Sequence, residues 1–167
     1  MKPAHLIAFV LAALTGLPLS PLPAFAGRNP EPAADSASSS TRRAGIVAFC
    51  RKNRDKKVGD GECWALANEA FKQTGARRPG REIRVWGRQI NLRTESPLPG
   101  DILECDRTRF ADGSYTTAQH TAVIMAPAGP GTFLIAEQNF AGKKKVKERV
   151  LDLRGVRSGS IAVYRPQ

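Results

Sequence analysis

The segment that most constrains the fold of this chain runs from Gly59 to Asn68 and reads GDGECWALAN. It places a cysteine, Cys63, directly after a glycine-rich turn and at the start of a stretch with helical spacing. Unpaired N–H groups and the positive end of the helix dipole stabilise a thiolate there, which lowers the pKa of the thiol. The sequence therefore predicts Cys63 as a nucleophile in the first turn of a helix, whereas a cysteine that only fills the core is the alternative.

The spacing of apolar residues predicts an α+β fold. One helix is expected over 44–51 and a second over 62–73, whose apolar face holds Cys63, Leu66, Ala67, Ala70 and Phe71. Turn residues and β-prone runs predict five strands, over 101–105, 119–126, 131–137, 146–153 and 160–164. We therefore expect N-terminal helices packed on an antiparallel β-meander.

The N-terminal residues have the pattern of an export signal. Lys2 precedes an apolar run that is shorter than the about 20 residues of a membrane-spanning helix, and Ala24-Phe25-Ala26 follows as a small-x-small cleavage site. Residues 1–26 are therefore predicted to be a signal peptide, and a secreted or periplasmic location is expected. Residues 27–43, rich in Ala, Ser and Pro, are predicted to be a flexible linker, which leaves 44–167 as one domain.

The charge balance favours anionic partners. The formal net charge is +11 at pH 7, which indicates peptidoglycan or another anionic cell-surface polymer as a partner of an exported protein. The basic residues are scattered along the chain, with local concentrations over 51–57, 77–84 and 143–147, and they match no nucleic-acid-binding motif. No specific nucleic acid, no stable membrane insertion and a monomeric state are expected.

His120 is the only histidine outside the predicted signal peptide, so it is the candidate general base. If strands 119–126 and 131–137 pair with Ala126 opposite Gly131, His120 faces Glu137 and Asn139 is its diagonal neighbour. A one-residue change of register would turn His120 away from Glu137. The same face carries four apolar residues and is expected to point at the helix that bears Cys63: Ala122, Ile124, Phe133 and Ile135.

Four motifs in this order resemble those of the CHAP family of cysteine amidohydrolases and peptidases, which is related to NlpC/P60. They are the Cys63 segment, the Leu98-Pro99-Gly100-Asp101-Ile102-Leu103 turn, Gln119-His120-Thr121-Ala122-Val123 and Glu137-Gln138-Asn139-Phe140. The resemblance implies a papain-like fold in which the cysteine attacks, the histidine is the base, and Glu137 and Asn139 assist. It also implies cleavage of amide bonds in peptidoglycan through a thioester acyl-enzyme.

The sequence GDGECWALANEAF is also similar to a cysteine-proteinase-fold domain of fungal actin-patch scaffold proteins. The resemblance to that family implies that the fold serves as an interaction module. The alternative to a secreted hydrolase is therefore a non-catalytic papain-fold binding module, or a basic protein that binds cell-wall polymers.

The remaining candidate residues carry weaker signals. Cys50 and Cys105 could form a disulfide that leaves Cys63 free, but the sequence leaves this pairing open. Trp64 is a candidate substrate-binding residue because it adjoins Cys63. Strand alternation points Gln138 away from the cleft. No metal or other cofactor is expected, because only one histidine lies beyond the predicted signal peptide and no C-x-x-C spacing occurs.

Overall fold

The computed structural model describes residues 37–114, 116 and 118–167, so the predicted signal peptide (1–26) and residues 27–36 of the predicted linker lie outside the described part. Two helices precede an antiparallel sheet, which confirms the expected α+β class. The elements are α1 (Ala37–Lys52), α2 (Cys63–Thr74), β1 (Arg88–Gln89), β2 (Ile102–Phe110), β3 (Gln119–Gly129), β4 (Thr132–Glu137), β5 (Lys147–Asp152), a short 3₁₀ helix (Leu153–Gly155) and β6 (Val156–Arg165).

Helix α1 begins at Ala37, so the prediction of a flexible linker is wrong for residues 37–43. The Ser39 hydroxyl is buried and donates a hydrogen bond to the carbonyl of Pro166 at 2.8 Å, and Ile46 and Cys50 are fully buried further along the helix. The composition of this stretch is polar, but a tertiary contact with the C-terminal end of the chain orders it. That contact joins positions far apart in sequence, which local composition does not report.

Helix α2 carries the apolar face that the sequence predicts. Leu66, Ala67, Ala70 and Phe71 are buried against the sheet, and Gly75 ends the helix in the left-handed conformation with φ 68°. Glycine adopts this conformation without the steric cost of a Cβ, so it is a common helix terminator. At the other end of the helix, Cys63 contacts Gln119, the first residue of β3.

The six strands follow the order β1-β6-β2-β3-β4-β5. In the β3–β4 pair, Ala122 lies opposite Glu137 and Ile124 opposite Ile135, and an irregularity follows before Ala126. Ala126 pairs with Leu134 rather than with Gly131, so the predicted register is wrong. Near His120 the pairing is displaced by two residues, and an even displacement leaves each side chain on its predicted face.

The two faces of the sheet hold different cores. The helices pack on one face together with Ile102, Val123, Met125 and Ala136. The residues predicted to face the helices belong instead to the second core, with Leu103 and Cys105: Ala122, Ile124, Phe133 and Ile135. That prediction is wrong, because both faces of these strands are apolar and alternation alone does not say which face the helices cover.

Cys50 and Cys105 do not form the disulfide that was considered from the sequence. All three cysteines are free. Cys50 belongs to the helix-side core and Cys105 to the core on the other face, so the sheet separates the two thiols. Burial raises the pKa of each thiol to about 12, with the carboxylates of Glu148 and Glu104 adding to the shift at Cys50 and Cys105 respectively.

Within the described residues, no helix combines the length and apolarity required to cross a bilayer. In the same part of the chain, no group of three or more His, Cys, Asp or Glu side chains is arranged to hold a metal ion.

The turn before β2, residues 98–101, contacts both the last strand and helix α1. The Asp101 carboxylate accepts a hydrogen bond from the Leu98 N–H at 2.9 Å and from the Arg165 guanidinium at 3.0 Å. Gly100, which precedes Asp101 in this turn, has φ 88° and lies directly against the Arg43 backbone of α1. The turn, the last strand and the first helix therefore meet at one point.

We expect Gly100→Ala to lower the free energy of unfolding by about 1–3 kcal/mol, measured by urea denaturation. A Cβ at this position would lie 2.5 Å from the Arg43 carbonyl oxygen, in a backbone conformation that alanine rarely adopts. Gly80→Ala is the matched control, because a Cβ there meets nothing within 4 Å. Equal effects of the two substitutions would contradict this account of the turn.

Candidate active site

Cys63 is the first residue of α2. It is half-buried and lies beside the first residues of β3. Its Sγ lies 3.9 Å from the carbonyl oxygen of Gln119, and the Thr121 N–H is close enough to stabilise a thiolate. Glu62 precedes it in extended conformation and makes no side-chain cap to the helix. Cys63 thus lies in the first turn of a helix, as the sequence predicts, and its sulfur contacts the first residues of β3.

His120 and Glu137 form a buried pair beside Cys63. The imidazole Nε2 lies 2.9 Å from a Glu137 carboxylate oxygen, and the side chains are 8 % and 2 % exposed. The two residues are diagonal neighbours across β3 and β4, and their side chains are long enough to span that separation. Because Glu137 engages Nε2, the other ring nitrogen, Nδ1, is left to interact with Cys63.

The electrostatics of this pair favour a thiolate and an imidazolium. Burial raises the pKa of Cys63, but the hydrogen bond to His120, the Thr121 N–H and the imidazole charge outweigh it, so the pKa lies below its ordinary value. Burial lowers the pKa of His120, yet its hydrogen bonds to Cys63 and Glu137 raise it to about 9. The two shifts have opposite directions, and both stabilise the state in which the imidazole carries the proton.

Arg149 completes the group, and the sequence did not single it out. Its Nε donates to a Glu137 oxygen at 2.6 Å, and its guanidinium stacks 4.5 Å from the centre of the Phe140 ring. Burial raises the pKa of Glu137, but His120 and Arg149 together hold it below its ordinary value. Arg149 pairs with Ile135, two residues from Glu137, so strand alternation was the available signal.

Gln138 has a structural role that the sequence did not indicate. It points away from the cleft, as predicted, and is fully buried. Its amide accepts from the Val58 N–H at 2.8 Å and donates to the carbonyls of Val58 and Glu62 at 3.0 and 2.9 Å. Three hydrogen bonds from one side chain thus hold the turn that leads into Cys63.

Asn139 lies near the cysteine but contacts a different residue from the one expected. Strand β4 ends at Glu137, and Asn139 follows in a left-handed turn with φ 59°. Its side-chain amide donates to a Glu62 carboxylate oxygen at 2.7 Å, and Lys144 binds the other oxygen at 2.8 Å. Asn139 therefore braces the residue before Cys63 rather than the imidazole.

A cleft of about 650 Å³ opens over Cys63 and His120. Trp64 is 38 % exposed and is not among the residues that line it, so the structure does not bring this predicted substrate-binding residue to the cleft. The described residues that line the cleft come from three parts of the chain: Glu62 and Cys63, then Gly113, Ser114, Thr116, Ala118, Gln119 and His120, and then Asn139, Phe140, Ala141 and Gly142.

Comparison with known proteins identifies a sequence family that matches most of the chain. The sequence model of the AIM3/BBC1 Cysteine proteinase-fold domain matches residues 28–167. The chain belongs to this family. A cysteine-proteinase-like fold and the second of the two sequence resemblances are thereby confirmed, whereas membership of the CHAP family is not.

This AIM3/BBC1 chain is similar to a protein of Debaryomyces hansenii and to solved structures of Ly7917. It is 30 % identical over 162 residues to Altered inheritance of mitochondria protein 3 of Debaryomyces hansenii, an alignment that covers 83 % of this chain and 17 % of the yeast protein. The crystal structures of Ly7917, alone and with the hydrolysing product of MDP, share 17 % and 18 % identity and a TM-score of 0.49. Each alignment covers 74 % of this chain, and 62 % and 63 % of the Ly7917 chains.

These findings overturn the predicted function. The family that matches is the AIM3/BBC1 cysteine proteinase-fold domain. The chain spans only 17 % of the length of its fungal relative. The prediction of a secreted amidohydrolase that cleaves peptidoglycan is therefore wrong. The predicted secreted or periplasmic location, and binding to peptidoglycan or another anionic cell-surface polymer, are wrong for the same reason.

We expect Cys63 to react with iodoacetamide at pH values below the ordinary thiol pKa of about 8.5, measured as alkylation rate against pH. In His120→Ala the thiol keeps its burial but loses the hydrogen bond and charge that lower its pKa, so the midpoint should move upward. Cys50→Ala is the control and should leave the profile unchanged. An identical profile in His120→Ala would contradict an activated pair.

We expect Gln138→Leu to destabilise the fold by about 1–3 kcal/mol, because it leaves the buried Val58 N–H without a partner and removes one hydrogen bond each from the carbonyls of Val58 and Glu62. The loosened turn should also move the alkylation midpoint of Cys63 towards its ordinary value. Gln73→Leu is the matched control, because Gln73 is exposed and does not line the cleft. A loss of stability with an unchanged Cys63 profile would contradict a positioning role for Gln138.

Proposed function

We propose that this chain is a papain-fold interaction module that binds a peptide segment of a partner protein in the Cys63–His120 cleft. The observation that carries the proposal is the cleft itself, about 650 Å³ in volume and formed around a rigidly held pair. Concave sites of this size with a few convergent polar groups are typical of ligand binding. Membership of the AIM3/BBC1 family supports a module that acts as part of a longer protein.

The arrangement of the cleft supports a further assignment, to the CHAP and NlpC/P60 type of papain-like fold. A cysteine opens a helix, a histidine begins a later strand, and a carboxylate ends the next strand. In this proposal Cys63 and His120 contact the bound chain, Glu137 orients the imidazole, and Asn139 positions the Cys63 turn through Glu62. The domain that carries them extends from at least Ala37 to the last residue.

Thiol-dependent hydrolysis of a peptide bond is the second candidate function, and the thiolate–imidazolium pair favours it. The Cys63 sulfur would attack a carbonyl carbon, and the His120 proton would pass to the leaving amine. Water would then release the acyl group from sulfur, with His120 accepting a proton from that water. Glu137 would keep the ring in its productive orientation.

A displayed library of random peptides, selected on the immobilised chain, tests the interaction module. We expect a peptide family to be enriched on the wild-type protein and on Cys63→Ala. Enrichment should be lost when Cys63 has been alkylated with a bulky maleimide, because that adduct fills the cleft. No enrichment, or enrichment that survives the adduct, would contradict peptide binding in the cleft.

The enriched peptides also separate the two candidate functions. A binding module should leave each peptide intact after prolonged incubation, as judged by mass spectrometry. Cleavage by the wild-type chain that is abolished in both Cys63→Ala and His120→Ala would establish the hydrolase instead.

A further inference from the structure

Two basic runs that are distant in the sequence form one surface in the fold. Residue Arg54 pairs with Val146 in an isolated parallel bridge, closed by backbone hydrogen bonds of 2.9 Å from Asp55 N to Val146 O and from Val146 N to Lys56 O. The lysines on either side of this bridge are exposed. We call this region the lysine surface: Lys56, Lys57, Lys143, Lys144, Lys145 and Lys147.

The lysine surface is joined to the cleft at two points. Gly61 is buried with φ 90°, and a Cβ on it would lie 3.0 Å from both Lys57 Cε and Lys144 Cβ. The two lysine stems therefore meet two residues before Cys63. The turn that ends at Gly142 lines the cleft, and the chain continues from it directly into Lys143. A ligand that leaves the cleft on this side thus passes over the lysines.

A second, smaller cavity of about 130 Å³ lies on this surface. The described residues that line it are Glu137, Phe140, Lys143, Lys145, Lys147, Glu148 and Arg149. Both carboxylates are already paired, Glu137 with His120 and Arg149 and Glu148 with Arg54. Phe140 lines this cavity and the main cleft alike, so one aromatic ring separates them.

The lysine surface has uncompensated positive charge. Lys144 binds Glu62 and Lys147 binds Asp55, whereas no carboxylate within the described residues forms an ion pair with Lys56, Lys57, Lys143 or Lys145. Clustered cations with no intramolecular partner raise the local concentration of negatively charged ligands and accelerate their binding.

We propose that the cleft takes an acidic peptide segment, whose carboxylate side chains lie on the lysine surface and in the cavity beside Phe140. This inference rests on the proposed function and specifies the chemical class of its ligand. The cleft is continuous with the cationic surface, so one extended chain can occupy both. Lys143 and Lys145 are the specificity-determining residues, because they line the small cavity and form no close ion pair with a carboxylate among the described residues.

A peptide fits this surface better than a membrane or a nucleic acid does. Phe140, the aromatic ring that lines both cavities, is half-buried and packs against His120 and Arg149. Four large apolar side chains are exposed in the described part of the chain, and none of them lines either cavity to insert into lipid or to stack on bases: Trp64, Ile83, Leu92 and Val150. The carboxylates of Asp55, Glu62 and Glu148 lie beside the lysines. A continuous phosphate backbone would pass close to them, whereas separate carboxylate side chains on a peptide can avoid them.

The test uses two dye-labelled peptides that alternate glutamate, or glutamine in its place, with alanine and serine. Fluorescence anisotropy should show the glutamate peptide binding at least about tenfold more tightly at low salt, with affinity falling as salt is added. The double variant Lys143→Glu/Lys145→Glu should lose at least about tenfold in affinity for this peptide. The control, Arg93→Glu/Arg157→Glu, has the same change in charge at exposed positions outside both cavities and should bind within about twofold of wild type.

Protection of Cys63 from alkylation locates the bound peptide, and urea denaturation checks that each variant is folded. Protection by the glutamate peptide, lost in Lys143→Glu/Lys145→Glu, is the expected result. Equal protection by both peptides would overturn the inference and leave peptide binding in the cleft standing. Glutamate-peptide binding without protection, no binding of that peptide, or equally tight binding of a single-stranded oligonucleotide would each overturn it, while the library selection judges the proposed function separately.

Discussion

The end of strand β4 holds both halves of the site, because consecutive residues of a strand point to opposite faces of the sheet. Glu137 faces one side and fixes the imidazole of His120. Gln138 faces the other side and fixes the turn from Val58 to Glu62 that carries Cys63. Two consecutive residues, Glu137 and Gln138, therefore fix the position of the His120 imidazole relative to Cys63. Both side chains are buried, so neither moves without disturbing a core.

Local sequence signals predicted the elements and part of the site. The helix spacing after Cys63 and the turn residues between strands identified α2 and the five long strands within a few residues. The contact between His120 and Glu137 is present although the register is displaced, because a two-residue displacement preserves strand parity. Asn139 lies two residues beyond the end of β4, and its left-handed backbone turns its side chain towards Glu62. The alternation of side chains within a strand does not extend to such a position.

Features that depend on contacts between distant segments were missed or predicted wrongly. Apolar side chains cover both faces of the central strands, so the sequence did not reveal that Cys50 and Cys105 lie in separate cores. The ordering of residues 37–43 depends on Pro166 at the other end of the chain. The assignment to a wall hydrolase failed for a different reason: the motifs report a fold and a reactive constellation, which proteins with unrelated roles share.

The isolation of Cys50 and Cys105 on opposite faces of the sheet gives this chain an intrinsic reporter of its own folding. Their thiols have pKa values of about 12 and are shielded from solvent, whereas Cys63 opens onto the cleft. The sequence contains three cysteines. The number of thiols that a reagent titrates at neutral pH is therefore one for a native molecule and three for an unfolded one. Thiol stoichiometry distinguishes the two populations without any introduced label.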